Sequence, residues 1–200
     1  MSTAMQAPTR DERFITALEQ LIKQEDRAAL AALRRGLGKE PGTAMEMHSY
    51  VARFTQGLSD YAEAPYYIVA ALVGLYPTER WQLNEEKAQT NLGASFNYLS
   101  PPKSENRPSV ERRFVALLNC NTEDLPDHLR QAISLLKSKD VHVDWLRLLR
   151  DIKQWERDDR RAQRQWAKAF WGDATDEAST TQHANLNTAP SSQSVETTSE

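Results

Sequence analysis

Residues 124–152 read DLPDHLRQAISLLKSKDVHVDWLRLLRDI, and the spacing of their apolar side chains decides the fold class. Leu129, Ile133 and Leu136 recur at steps of four and three, the repeat of one helix face. Asp124 followed by Pro126 opens that helix, because the first N–H groups of a helix have no intrahelical partner to lose. Asp144 then opens a second helix carrying Trp145, Leu148, Leu149, Ile152 and Trp155. Neither segment alternates apolar and polar residues as a half-buried strand would.

The same period continues in both directions. Towards the C-terminus, Ala162, Trp166 and Phe170 at four-residue steps predict a helix over about 159–171. Towards the N-terminus, Ser109 is placed to cap a helix with Phe114, Leu117 and Leu118, and four helices of this length can close a small antiparallel bundle. A polar, proline-bearing connection, Ser100 to Pro108, is the expected domain boundary. Before it, Phe14, Leu18, Leu21 and Ile22 predict one helix and Leu30, Leu33 and Leu37 a second, ended by Gly36, Gly38, Pro41 and Gly42. Thr43 with Glu46 has the spacing of a capping box, opening a helix that buries Met47, Tyr50, Val51, Phe54 and Leu58. Tyr66 to Tyr76 is apolar on nearly every side and predicts a central buried helix. A short helix near Gln89 to Leu99 presents Leu92, Phe96 and Leu99.

The expected fold is therefore all-α: two small helical bundles joined by a linker, with an N-terminal helical domain over 1–100 and a C-terminal bundle over 101–172. Residues 173–200, rich in Ser, Thr, Asn and Gln with little to bury, are expected to form a disordered tail. No apolar run approaches the roughly 18–20 residues that span a bilayer, and residues 1–10 lack the pattern of an export signal. Cys120 is the only cysteine of the 200 residues, so no internal disulfide can form, which fits a cytoplasmic protein.

Charge is unevenly placed. The formal net charge is −3, yet residues 173–200 contribute Asp173, Asp176, Glu177, Glu196 and Glu200 with no Lys or Arg. Without them 25 bases face 23 acids, and from Lys103 to Lys168 15 bases face 11 acids. That excess is too small to coat nucleic acid by charge alone, so any such contact is local.

Catalytic patterns are missing. His48, His128, His142 and His183 lack metal-ligand spacing, and Cys120 has no second thiol beside it. The sequence contains no phosphate-binding loop, and the neighbouring Asp158 and Asp159 point apart on a helix rather than forming a nuclease pair. Neither a cofactor nor a metal is expected.

A set of blocks in fixed order carries a resemblance. ERRF (111–114), DLPDHLRQA (124–132), SLLKS (134–138), VDWLRLL (143–149) and WAKAFW (166–171) are preceded by DRAALAALRRGLG (26–38), YYIVAAL (66–72) and NLGASF (91–96). Over residues 11–172 the chain resembles the CasB family, the small subunits of the type I-E CRISPR Cascade complex. The resemblance implies a non-catalytic, all-helical protein, two copies of which sit head to tail. It also implies contacts to the backbone and large subunits, to crRNA and to target DNA, with the displaced strand of the R-loop held against the subunit.

The residues suited to that task are arginines and lysines, since the planar guanidinium donates several hydrogen bonds to phosphate. Arg34 and Arg35 end a helix beside glycines. Arg107, Arg112 and Arg113 cluster at the start of another, and Arg130, Lys137 and Lys139 lie on or just past the next. The run Arg157, Arg160, Arg161 and Arg164 is interleaved with acids and expected to pair within its helix. Trp145, Trp155 and Trp166 are expected in the core, and Trp81, in the polar segment Glu79 to Gln89, exposed against a neighbouring subunit. The competing reading is a helical adaptor that binds only protein, with the arginines as salt-bridge partners.

Overall fold

The computed structural model describes residues 7–77 and 91–172. Trp81, the segment 173–200 and the first residues of the helix expected from Gln89 lie outside the described residues.

All regular elements among the described residues are helical. In order they are α1 (Arg10–Lys23), α2 (Arg27–Arg34), α3 (His48–Thr55), α4 (Asp60–Leu75), α5 (Leu92–Leu99), α6 (Arg107–Asn119), α7 (Leu125–Ser138), α8 (Trp145–Ile152) and α9 (Arg161–Trp171), with a 3-10 turn at Met45–Met47. Their starts follow local chemistry. Thr9 and Glu12 form a reciprocal capping box on α1, Ser59 and Asn91 cap α4 and α5, and the Asp144 carboxylate accepts from the Arg147 N–H at 2.8 Å.

Several boundaries differ from expectation; α4, for one, begins at Asp60 rather than Tyr66. Thr43 makes no capping box: its hydroxyl donates to the Glu40 carbonyl, Glu46 turns to Arg35, and the chain enters α3 through the 3-10 turn. α6 starts at Arg107 rather than after Ser109, with Pro108 in its first turn. α8 stops at Ile152, so Trp155 is buried from the turn that follows.

α4 is the buried centre, with every residue from Pro65 to Gly74 inside. Two helix pairs approach through glycine. A Cβ on Gly74 would lie 2.7 Å from the backbone nitrogen of Arg34, and one on Gly93 would overlap the Trp166 carbonyl, so α2 crosses α4 and α5 crosses α9 at backbone contact. α4 also packs on α7 and α8, and α1 on α8, so apolar contacts run from the first half of the chain into the second. Trp145, Trp155 and Trp166 lie in the core as expected, Trp155 and Trp166 with ring centroids 5.1 Å apart.

Candidate nucleic-acid interface

The fold sorts the eight basic residues singled out in the sequence into three groups. Arg107 forms the first. It is 8% exposed, and its guanidinium donates to the Asn97 side chain at 2.9 Å, to the Ser100 carbonyl and to the Phe170 carbonyl at 2.7 Å, with its carbon 3.6 Å from the centre of the Phe170 ring. Ser100 and Phe170 lie at the C-terminal ends of α5 and α9, where carbonyls lack intrahelical donors and the helix dipole is negative. Arg107 thus ties two helix ends together. Burial lowers its pKa, and three of its five N–H groups are spent on protein acceptors. Its sequence-based assignment to a strand-binding surface is corrected on that geometry.

The second group gathers around the C-terminus of α4. Arg34 Nε donates to the Gly74 carbonyl at 2.9 Å, and Lys137 Nζ, from α7, to the Leu75 carbonyl at 2.8 Å. Two cations 103 positions apart in sequence therefore meet at adjacent carbonyls of one helix end. Each keeps N–H groups beyond the one bonded, and both side chains remain exposed. Arg35 follows, 61% exposed and paired with Glu46 at 2.6 Å. The Glu46 backbone and the Arg35 guanidinium hold that carboxyl below its usual range. Lys139, just past α7, is exposed with no ion pair or side-chain hydrogen bond among the described residues. Arg130 lies seven residues before Lys137 on the same face of α7 and meets Asp127 at 3.2 Å. Exposed pairs of this kind are weak, about 0–1 kcal/mol, and exchange readily for a phosphate.

The third group is Arg112 and Arg113, both exposed on α6 with no side-chain partner among the described residues. Because α6 starts at Arg107, they stand in its second turn. The free N–H groups of the first turn do not assist them.

The remaining basic run pairs differently from expectation. Arg157 meets Asp159 at 3.3 Å in the turn before α9, and Arg160, in a left-handed conformation (φ 46°), donates to the Leu118 carbonyl. Three arginines outside the sequence-based set, Arg10, Arg13 and Arg53, line one groove. About forty residues separate Arg53 from the other two. The spacing of Arg10, Arg13, Thr16 and Gln20 along one strip of α1 hinted at the first two, and nothing local marked Arg53.

Two groups capable of chemistry, His48 and Cys120, are occupied structurally. His48 Nε2 lies 2.7 Å from the Gly42 carbonyl and Nδ1 3.2 Å from the Tyr67 hydroxyl. The Cys120 thiol donates to the Leu117 carbonyl, and burial pushes its pKa up to about 11. Among the described residues no group of three His, Cys, Asp or Glu is arranged to hold a metal ion, and no helix is long and apolar enough to cross a membrane.

The comparisons with known proteins agree with one another. The family model for CRISPR-associated protein Cse2 matches residues 29–171. The CRISPR-associated protein Cse2 of Thermus thermophilus is 31% identical over 165 residues, covering 80% of this chain and 89% of the relative. Among solved structures, M. ruber CasB superposes with a TM-score of 0.70 at 27% identity, covering 88% of this chain and 99% of that one. A chain of a CRISPR RNA-guided surveillance complex in a pre-nicking state also gives 0.70, at 30% identity over 87% of this chain and 97% of that one. Sequence and helical fold both match these relatives, and the chain belongs to the Cse2, or CasB, family of CRISPR-associated proteins.

Proposed function

We propose that this protein is the non-catalytic small subunit of a type I-E Cascade complex and helps hold target DNA open during crRNA-guided binding by gripping the displaced strand. Exchanging a DNA duplex for an RNA–DNA heteroduplex is nearly balanced in energy, so a few phosphate contacts on the separated strand tip it. The observation that carries the reading is the pair Arg112 and Arg113 on α6, exposed and without a side-chain partner among the described residues. Around the end of α4, Arg34, Arg35, Lys137 and Lys139, with Arg130 along α7, extend the set. A second copy of the chain, the backbone subunits and the large subunit are the protein partners in this reading.

Charge reversal at Arg112 and Arg113, tested by footprinting the opened target with the assembled complex, should leave assembly intact and reduce strand opening. A second reading, an adaptor that touches only protein, is favoured by the pairing of Arg35 and Arg130 with carboxylates and by Tyr98, 78% exposed on α5. Loss of assembly with unchanged DNA binding by preassembled complex would decide for the adaptor.

A further inference from the structure

α1 turns Phe14, Leu18 and Ile22 into the core, which leaves Arg10, Arg13, Thr16 and Gln20 outside. The end of α3 faces them with Arg53, Phe54 and Gln56, and the two rows enclose an open groove of about 530 Å³. Three arginines line it and, among the described residues, no carboxylate does.

The acids next to these arginines in sequence are committed elsewhere. Asp11 accepts from Lys153 Nζ at 2.9 Å and from the Tyr66 hydroxyl at 2.5 Å. Glu12 accepts from Arg150 at 2.9 Å and from the Thr9 N–H at 2.8 Å. Among the described residues no ion pair or side-chain hydrogen bond engages Arg10, Arg13 or Arg53. Arg53 instead rests over the Phe54 ring, its guanidinium carbon 4.6 Å from the ring centre, and that ring is anchored edge-on against Phe14 in the core. A ring face attracts the cation without consuming its N–H donors, so the fork is positioned and unspent.

The geometry points to a strand-binding groove between α1 and α3 in which Arg10, Arg13 and Arg53 hold the phosphodiester backbone of a single-stranded nucleic acid without reading its bases. It is separate from the residues of α6 and α7, and it rests on the proposed function only for the nature of the polyanion. Arginine forks also suit carboxylates, but a protein partner would need an apolar centre to its contact, and Phe54, half-buried and covered by Arg53, offers little. Thr16, Gln20 and Gln56 add polar donors along the same lining.

The test uses the full-length chain and a fluorescent single-stranded DNA of mixed sequence, with affinity followed by anisotropy against salt. Each phosphate contact to a single strand contributes about 0.7 to the slope of log affinity against log salt. The triple substitution Arg10→Gln, Arg13→Gln, Arg53→Gln should therefore flatten the slope by about 2, so that between about 50 and 200 mM salt it loses roughly 20-fold less affinity than the wild type. The corresponding Lys variant should keep the slope, and the thermal midpoint of each variant checks the fold. An unchanged slope in the Gln variant overturns the groove. So does a Gln variant that binds DNA normally yet no longer joins its protein partners, which would make the groove a protein-docking surface. A parallel variant, Arg112→Gln with Arg113→Gln, tests the α6 surface independently, so either can fail while the other stands. Absence of salt-sensitive binding by the wild type overturns both.

Discussion

Arg107 and Arg112 lie five residues apart on α6, and the fold gives them opposite surroundings. Arg107 is enclosed by acceptors from α5 and α9, so Arg107→Ala should cost about 3 kcal/mol, the usual penalty for stripping a buried charged donor from its acceptors. Arg107→Lys should recover only part, since an ammonium lacks the planar fork. Denaturant unfolding measures both, and a loss well under about 1 kcal/mol for the Ala variant would contradict the bridging role. Asp151 is a second buried charge, accepting from Trp166 Nε1 at 2.6 Å and Arg147 Nε at 2.9 Å. Burial nonetheless pushes its pKa above the ordinary 3.8, because the hydrogen bonds do not fully offset desolvation. A folded value above the unfolded one means that its contribution is complete below 3.8 and declines as pH rises through the raised value. Relative to Asp151→Asn, the wild type should therefore lose stability as pH climbs out of the acid range. Denaturation curves at stepped pH should show the gap moving in that direction, and a constant gap would sink the argument. Glu12 has the opposite sign: the Thr9 backbone N–H lowers its pKa, so its capping contribution is lost on acidification.

Helix pairs α2–α4 and α5–α9 depend on missing side chains. With the backbone of Arg34 and the Trp166 carbonyl where a Cβ would go, Gly74→Ala and Gly93→Ala should each cost about 1–3 kcal/mol by forcing the helices apart. The thermal midpoint reads this, and a neutral or raised midpoint would mean that the crossing can relax. The Gly74 change should also disturb Arg34, whose Nε bonds the carbonyl of that same residue. Gly74 lies within an apolar run that reads as continuous helix, and nothing local marks it as the crossing point. The capping box at Thr9 and Glu12, by contrast, is legible in the spacing, yet the same spacing at Thr43 and Glu46 drew the expectation. At Thr43 the hydroxyl is taken by the Glu40 carbonyl and the Glu46 carboxylate by Arg35, so neither half of the box forms.

Across the molecule, α4 meets α7 and α8, and α1 meets α8, so unfolding either half exposes apolar surface in the other. The chain should unfold in one transition. Tryptophan fluorescence, which reports chiefly on the second half because four of five tryptophans lie there, should track far-ultraviolet circular dichroism, which reports on all the helices. Two separated midpoints would show that the halves hold their structure independently. The same packing draws Arg34 from α2 and Lys137 from α7 onto one helix end and sets Arg53 opposite Arg10 and Arg13, which creates basic surfaces where the overall charge is slightly negative.

Helical class, the buried tryptophans and most helix positions were readable from residue order, because a period near 3.6 and the chemistry of first turns are local properties carried by neighbouring residues. The family was readable as well, since its blocks are linear. Which arginines face solvent was not: Arg107 and Arg112 share a helix and a charge, and only the acceptors brought in from α5 and α9 tell them apart. Burial and pairing are set by residues distant in the chain, so the tertiary structure alone decided which cations hold the fold together and which stay exposed at the surface.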